Sequence, residues 1–199
     1  MPKLVAPVVA PGSMANRAQP VLSFGELVLR PWAVTDVAAL VAAYADPAIQ
    51  RWHVRTMSLD EAEEWVVGAG QSWGDESAAS WAVATRAGGL IGRLTLGTVD
   101  LAWGSADVRY WVVAHARGKG VASGALRVAT GWARSDLGLH RLELEHSTRN
   151  EASCRVAEKA GYGLEGTLRS RVLHEDGWHD MHLHAHVGRA HERWAPDRR

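Results

Sequence analysis

The chain has 199 residues, long enough for one domain with a full core, and balances 22 Lys plus Arg against 22 Asp plus Glu. That balance leaves no electrostatic footprint for nucleic acid or for an anionic membrane surface. A single cysteine, Cys154, excludes an internal disulfide framework. No stretch reaches the roughly 20 apolar residues of a membrane span, so the cytoplasm is the expected compartment.

Residues 1–24 carry prolines at positions 2, 7, 11 and 20 and read as a flexible arm. Glu26 to Trp32 alternates as a first strand. Thr35 is placed to cap a helix from Asp36 to Ala45 that stops at Asp46-Pro47. Ser58-Leu59-Asp60-Glu61 is a capping box that opens a second helix through Trp73. Ser80 to Thr85, Leu90 to Thr98 and Asp107 to Val113 are rich in β-branched and aromatic residues and predict an antiparallel meander, the first two strands joined at Gly88-Gly89. Ser123 to Leu137 repeats Leu126, Ala129, Ala133 and Leu137 on one helical face and is closed by Gly138. A strand follows at His140 to His146, and because a helix joins it to the preceding strand, the pair is expected to be parallel. Asn150 caps a last helix ending at Gly161, and two strands close the pattern, Tyr162 to Leu173 and Trp178 to Val187. The order is βααβββαβαββ. One domain over 25–187 is expected, followed by a solvated tail over 188–199.

The chemistry concentrates at Arg117-Gly118-Lys119-Gly120-Val121-Ala122-Ser123, where a strand, a glycine-rich turn and a helix start meet. Without Cβ atoms at Gly118 and Gly120 a bulky anion can approach the main chain, and first-turn amides plus the helix dipole favour negative charge. A P-loop needs Ser or Thr after Gly-Lys, where Gly120 stands, and a dinucleotide turn needs a third glycine where Ser123 stands. A phosphate ligand is expected here, of a different class from either.

Arg117-x-x-Gly120-x-Ala122 resembles the pyrophosphate loop of the GNAT N-acyltransferase superfamily, whose element order matches the one above. Asn150-Glu151-Ala152-Ser153, Glu158-Lys159-Ala160-Gly161-Tyr162 and Glu165-Gly166 are similar to the branch that acetylates N-terminal amines of ribosomal proteins, and to its antibiotic-modifying relatives. The resemblance implies an α+β fold with a mixed sheet of about seven strands, a splayed parallel pair and about four helices. It implies acetyl-coenzyme A as co-substrate and a primary amine as acceptor, in a monomer or homodimer. The pyrophosphate would lie on the amides of Gly118, Lys119, Gly120, Val121, Ala122 and Ser123, with Arg117 in the same loop. Lys119 is either an added charge or a solvated turn lysine. Trp111, Val112 and Val113 would offer backbone groups to the pantetheine arm.

Amine attack on a thioester needs a donor for the oxyanion, a sink for the amine proton and an acid for the thiolate. By resemblance the donor is the amide of Val112 or its neighbour and the acid is Ser153, which could also be a first-turn serine satisfied by backbone. Asn150 can cap its helix with the side-chain oxygen and still offer its NH₂ to pantetheine. No carboxylate stands in Leu168-Arg169-Ser170-Arg171-Val172-Leu173, where branch members often carry one. His174, Glu175, Asp176 and Asp180 are the nearby base candidates, though Glu175-Asp176-Gly177 has hairpin-turn chemistry. An α-amine with a pKa near ~7.8 is about a third neutral at pH ~7.5, while a lysine amine near ~10.4 is about a thousandth neutral, so a weak base suits an α-amine.

His182, His184 and His186 share one face of the last strand. A half-exposed or acceptor-lining polar face is the expected reading, and no metal is expected. Cys154 is expected to pack rather than to react. Trp52, Trp65, Trp73 and Trp103 fall in segments that by resemblance form the acceptor side of the family, while large core aromatics are the default reading, Trp65 and Trp73 sitting eight apart on one helical face. A longer donor such as succinyl-coenzyme A, a non-catalytic acyl-coenzyme A-binding module and a nucleotide-binding regulator are the alternative functions.

Overall fold

Burial at every second residue sets the frame, because Trp81 and Val83, Leu94 and Leu96, Ala106 and Val108, and Leu142 and Leu144 line one face of four neighbouring strands and are nearly solvent-free. The structure is a computed structural model and describes residues 4–188. Its strands are β1 (Leu22–Phe24), β2 (Leu27–Arg30), β3 (Ala79–Thr85), β4 (Leu90–Asp100), β5 (Ser105–Val112), β6 (Arg141–Ser147), β7 (Gly163–His174) and β8 (Gly177–Val187). They form a single sheet in the order β1-β2-β3-β4-β5-β6-β8-β7. All neighbours are antiparallel except β5 and β6, which run parallel as their helical connection requires.

Five α-helices flank the sheet: α1 (Val37–Tyr44), α2 (Pro47–His53), α3 (Leu59–Gly74), α4 (Val121–Trp132) and α5 (Glu151–Lys159). The larger core cluster joins α4 and α5 to the face that carries Trp81 and Leu94, with Trp132 edge-on to Trp81 at 5.3 Å. A second cluster under α1, α2 and the first half of α3 covers the opposite face around Trp111. The Ser58 box forms as expected, with Glu61 N–H reaching Ser58 Oγ at 3.2 Å and Ser58 N–H reaching Glu61 Oε2 at 2.7 Å. Asn150 Oδ1 likewise takes Ser153 N–H at 3.1 Å.

The fold departs from the sequence reading at four points. Thr35 does not cap α1; a 3₁₀ turn over Val34–Asp36 precedes it, and Asp36 instead takes Ala33 N–H and pairs with Arg30. Asp46-Pro47 ends one helix and starts another, since the Asp46 carboxylate takes Ala48 N–H at 2.9 Å and Pro47 sits in the first turn of α2. The helix expected over Ser123 to Leu137 becomes α4 followed by a π-turn over Ala133–Leu137, closed as expected by Gly138 at φ 89°. Among the described residues α2 and β1 thus bring the count to five α-helices and eight strands, where about four and seven were expected.

The fourth departure is the N-terminal segment. Residues 8–24 lie on the body: Val9 N–H bonds Leu101 O at 2.9 Å, and Trp73 and Trp81 donate their indole N–H groups to Arg17 O and Pro20 O. Glu76 accepts from Gly12 N–H at 2.7 Å and Met14 N–H at 2.6 Å. Phe24 of β1 packs flat on Gly124 of α4, where a Cβ would come within 2.8 Å of the ring. Prolines that forbid a long helix do not forbid a strap of turns and extended chain, and buried side chains at Val9 and Met14 hold this one down. The tail expected over 188–199 lies, apart from Gly188, outside the described residues.

Met14 is wholly buried although it sits in the segment read as solvated. Met14→Ala is therefore expected to cost about 2–4 kcal/mol in urea unfolding, whereas a solvated arm would show no change.

Candidate active site

β5 and β6 pair only at Ser105–Arg141, Ala106–Leu142 and Asp107–Glu143. Beyond that point they part, and a cleft of about 1210 Å³ opens between them. Its lining includes Tyr110, Trp111 and Val112 of β5, the turn at Arg117, Gly118 and Gly120, the first turn of α4, and Asn150 and Ser153 of α5.

Backbone accounting shows which groups of β5 face this space. Val113 N–H bonds Ile91 O at 3.0 Å, so by antiparallel alternation Trp111 and Arg109 also spend their main-chain groups on β4. Val108, Tyr110 and Val112 are the residues whose N–H and C=O point toward the open side. Of Trp111, Val112 and Val113, all expected to offer backbone groups to a ligand, only Val112 has its N–H on the open side, whereas the other two turn theirs to β4. Two of the open-side carbonyls are already taken: His53 Nε2 donates to Tyr110 O at 3.2 Å and Arg117 Nε to Val112 O at 2.9 Å. The splayed edge thus presents donors and hides acceptors.

The glycine turn has the geometry of an anion cradle. Gly118 and Gly120 stand at φ 75° and 77°, and no atom lies within 4 Å of where a Cβ would be at either. The first intrahelical bond of α4 runs from Gly124 N–H to Gly120 O, which leaves the amides of Val121, Ala122 and Ser123 aimed out of the helix end. Ser123 Oγ turns back onto Gly120 O at 3.1 Å, so its hydroxyl braces the turn.

Two residues of the loop take different directions, Lys119 in keeping with the solvated turn lysine that was one of its two readings. The Arg117 guanidinium is committed to Val112 O and to Asp46 at 2.5 Å, and it fastens the loop to the end of β5 and to the cap of α2. Ala48 N–H and then Arg117 hold the Asp46 carboxyl below its ordinary range. Lys119 is absent from the cleft lining and borders a shallow depression with Ser23, Phe24 and Gly25 on the outer side of the turn. A lysine next to two left-handed glycines takes its direction from their φ angles, which sequence spacing does not reveal.

At the mouth of α5, Ser153 faces Tyr110. The Tyr110 hydroxyl makes no hydrogen bond of good geometry, and burial pushes its pKa up to about 12 while the nearby Ser153 works against the rise. A neutral phenol beside a serine hydroxyl makes two proton donors where the sequence reading had only Ser153. Tyr110 escaped that reading because it looked like a strand aromatic. Trp52 and Trp103 line the cleft, whereas Trp65 pairs with Trp32 at 4.8 Å and Trp73 joins the main core.

Of the base candidates, Asp176 is connected. Ser147 Oγ lies 2.8 Å from His179 Nδ1, and His179 Nε2 lies 2.6 Å from Asp176 Oδ1. Ser147 lines the cleft, His179 is buried and stacks on His174 at 4.1 Å, and Asp176 is half-exposed. The hairpin turn expected of Glu175-Asp176-Gly177 does form, and it also carries this carboxylate to the imidazole. Asp180 instead accepts Ser170 N–H at 2.8 Å and fixes a bulge in β7.

Under the floor, Arg93 is buried beneath Trp65 and donates to Tyr44 Oη at 2.9 Å. Burial, and then the Arg93 charge, push the His53 imidazole down to about 4. An unfolded histidine titrates near ~6.5, so between that pH and about 4 the unfolded chain binds a proton that the folded chain refuses. Stability is expected to fall by about 2 kcal/mol between pH ~6.5 and ~5 on this account. Urea unfolding of wild type and His53→Gln at both pH values checks it, the variant showing the flatter profile.

Residues 26–163 match the family model described as acetyltransferase (GNAT) domain. YjcK of Bacillus subtilis, named as a probable N-acetyltransferase, is 36% identical over 91 residues, which is 43% of this chain and 50% of that protein. YdaF of the same organism, named as a candidate ribosomal N-acetyltransferase, is 30% identical over 94 residues, 47% of this chain and 51% of that one. The chain thus spans about half the length of these curated relatives. RimJ of Mycobacterium smegmatis, solved in complex with CoA-disulfide, superposes with a TM-score of 0.76 at 25% identity, over 84% of this chain and 86% of that one. With the family model covering well over half its length, on this element order and this splayed pair, the chain belongs to the GNAT acetyltransferase family.

Proposed function

We propose that this protein moves an acetyl group from acetyl-coenzyme A to a primary amine, with the α-amine of a peptide N-terminus as the preferred acceptor. The observation that carries the reading is the cleft between β5 and β6, which ends in an open glycine cradle and is edged by main-chain donors. The cradle fits a diphosphate, because Gly118 and Gly120 leave the approach clear and the amides of Val121 to Ser123 have no helical acceptor. Coenzyme A in complex with RimJ, and the candidate ribosomal acetylation in the name of YdaF, support the same ligand and acceptor class.

Each step then has a group on hand. The Val112 amide, directed to the open side of β5, is the donor assigned to the oxygen of the thioester carbonyl as it gains charge. Ser153, backed by Tyr110, supplies a proton to the departing thiolate, and Asn150 keeps its NH₂ for the pantetheine arm. Ser147 receives the amine proton while passing its own to His179 Nδ1, and Asp176 stabilises the resulting imidazolium. His179 already holds the Asp176 carboxyl below its ordinary range.

Five of the six Lys and Arg side chains in the lining, all but Lys159, are engaged by carboxylates of the protein, which favours acetyl over a dicarboxylic acyl group. Arg109, Arg117, Arg141, Arg155 and Arg171 each face a carboxylate of the protein. None of these five is left to hold a second carboxylate on the donor.

Calorimetry with coenzyme A, followed by thiol release and product mass with peptides and small amines, tests the assignment. No heat with coenzyme A overturns it, and heat without acceptor-dependent thiol release makes the protein a binding module. Among acceptors of graded pKa, α-amines are expected to outrun lysine-like amines on the order of 10²-fold at neutral pH. His179→Ala is expected to lower kcat about 10²-fold with the KM for acetyl-coenzyme A unchanged; an unchanged kcat would remove the Ser147 relay.

A further inference from the structure

We infer that the face of β8 under α5 is a zinc-class metal site built from His146, His182, His184 and Cys154. Their donor atoms all lie within 4.8 Å of one another. The register explains the convergence: His146 on β6 stands opposite His182 on β8, Leu144 stands opposite His184, and α5 lowers Cys154 onto the same face. His146 and His184 rings stack at 5.1 Å, and His182 meets His146 edge-on at 5.4 Å.

The hydrogen-bond pattern points to a ligand. His146 Nδ1 lies 2.8 Å from Ser147 O and His184 Nδ1 lies 3.3 Å from Tyr162 O. A carbonyl accepts only, so each Nδ1 carries the proton and each Nε2 is left with a lone pair. Metal-bound histidines are oriented in this way by main-chain or carboxylate acceptors. Among the described residues His146 Nε2 and His182 Nδ1 are buried with no partner, and Cys154 Sγ lies 3.9 Å from His184 Nε2 and 3.7 Å from Glu158 Oε1. Buried ring nitrogens left without a partner are costly, and the cluster leaves two of them, one on His146 and one on His182.

A divalent ion that accepts nitrogen and sulfur fills them together. Three imidazoles and a thiolate are a four-ligand set of the closed, structural kind, and binding releases the Cys154 proton. The ion would pin the first turn of α5, and with it Asn150 and Ser153, to the sheet. This differs from the half-exposed polar face expected of His182, His184 and His186: His184 is buried, and His186 turns away to Tyr162 and Arg134. Cys154, expected to pack, lies on the ligand side.

The test uses the full chain, stripped with a chelator and titrated with zinc sulfate or cobalt chloride. The expected result is a single equivalent of zinc, a rise in Tm, and with cobalt the visible bands of a tetrahedral site with thiolate-to-metal charge transfer. Cys154→Ser should abolish the charge-transfer band and weaken zinc by more than about tenfold with circular dichroism unchanged. His182→Asn, at a half-buried position, should weaken zinc similarly. No tight zinc binding by the stripped protein, or binding that both variants retain at wild-type strength, would overturn the site. These readouts do not involve acetyl transfer, so failure here leaves the proposed activity standing and the reverse also holds.

Discussion

The architecture rests on one interrupted ladder. A parallel pair that zipped along its whole length would satisfy every β5 and β6 group and leave no site. Here three registered pairs are followed by divergence, and the open groups of β5 must find other partners. The protein answers asymmetrically. Side chains from outside the sheet, His53 from α2 and Arg117 from the turn, fill two carbonyls, while the N–H groups at the same positions remain directed into the cleft. An edge with masked acceptors selects ligands that bring acceptors of their own, which a thioester carbonyl and an amide-bearing arm both do.

Holding that edge open draws in the distant parts of the chain. Arg117 reaches the edge only because Asp46 orients it, and Asp46 is also the cap of α2, the helix that carries Trp52 and His53 to the cleft. His53 must stay neutral to sit beside buried Arg93, and Arg93 is held by Tyr44 and the Trp65 ring. A cap, a buried cation and a low-pKa histidine thus form one chain of dependence that starts at the carbonyls of β5.

Much of this was legible in the sequence, and the failures share a cause. Alternating apolar residues gave the strands from Ser80 to Val113 and the parallel return at His140, and Ser58 and Asn150 announced their helices, because these signals are local. The glycine turn was legible for the same reason. What local pattern cannot carry is the destination of a side chain. Arg117 and Lys119 are two residues apart in one loop, yet one fastens the cleft and the other faces outward, since Gly118 at φ 75° reverses the chain between them. The prolines around Met14 and Phe24 predict a flexible arm, but they do not exclude a strap packed on the body, and Gly124 makes room for the Phe24 ring. Tyr110 and His179 carry no motif at all; their roles come from what the fold sets opposite them.

The two faces of β8 show how far such placement extends. Next to the cleft, one face carries His179 to Ser147 and Asp176, where a hydrogen-bonded path leads from the cleft wall to a half-exposed carboxylate. Farther along, the opposite face gathers His146, His182 and His184 under α5, where Nδ1 of His146 and of His184 each lies against a main-chain carbonyl. The same residue type serves opposite needs because the neighbour differs. An imidazole between a hydroxyl and a carboxylate is built to gain and lose a proton, and imidazoles whose N–H groups are tied to main-chain carbonyls are built to hold a lone pair still. Since both faces hang on one strand paired to β6, whatever holds the helix α5 above that strand also holds Ser153 of α5 relative to Ser147 of β6.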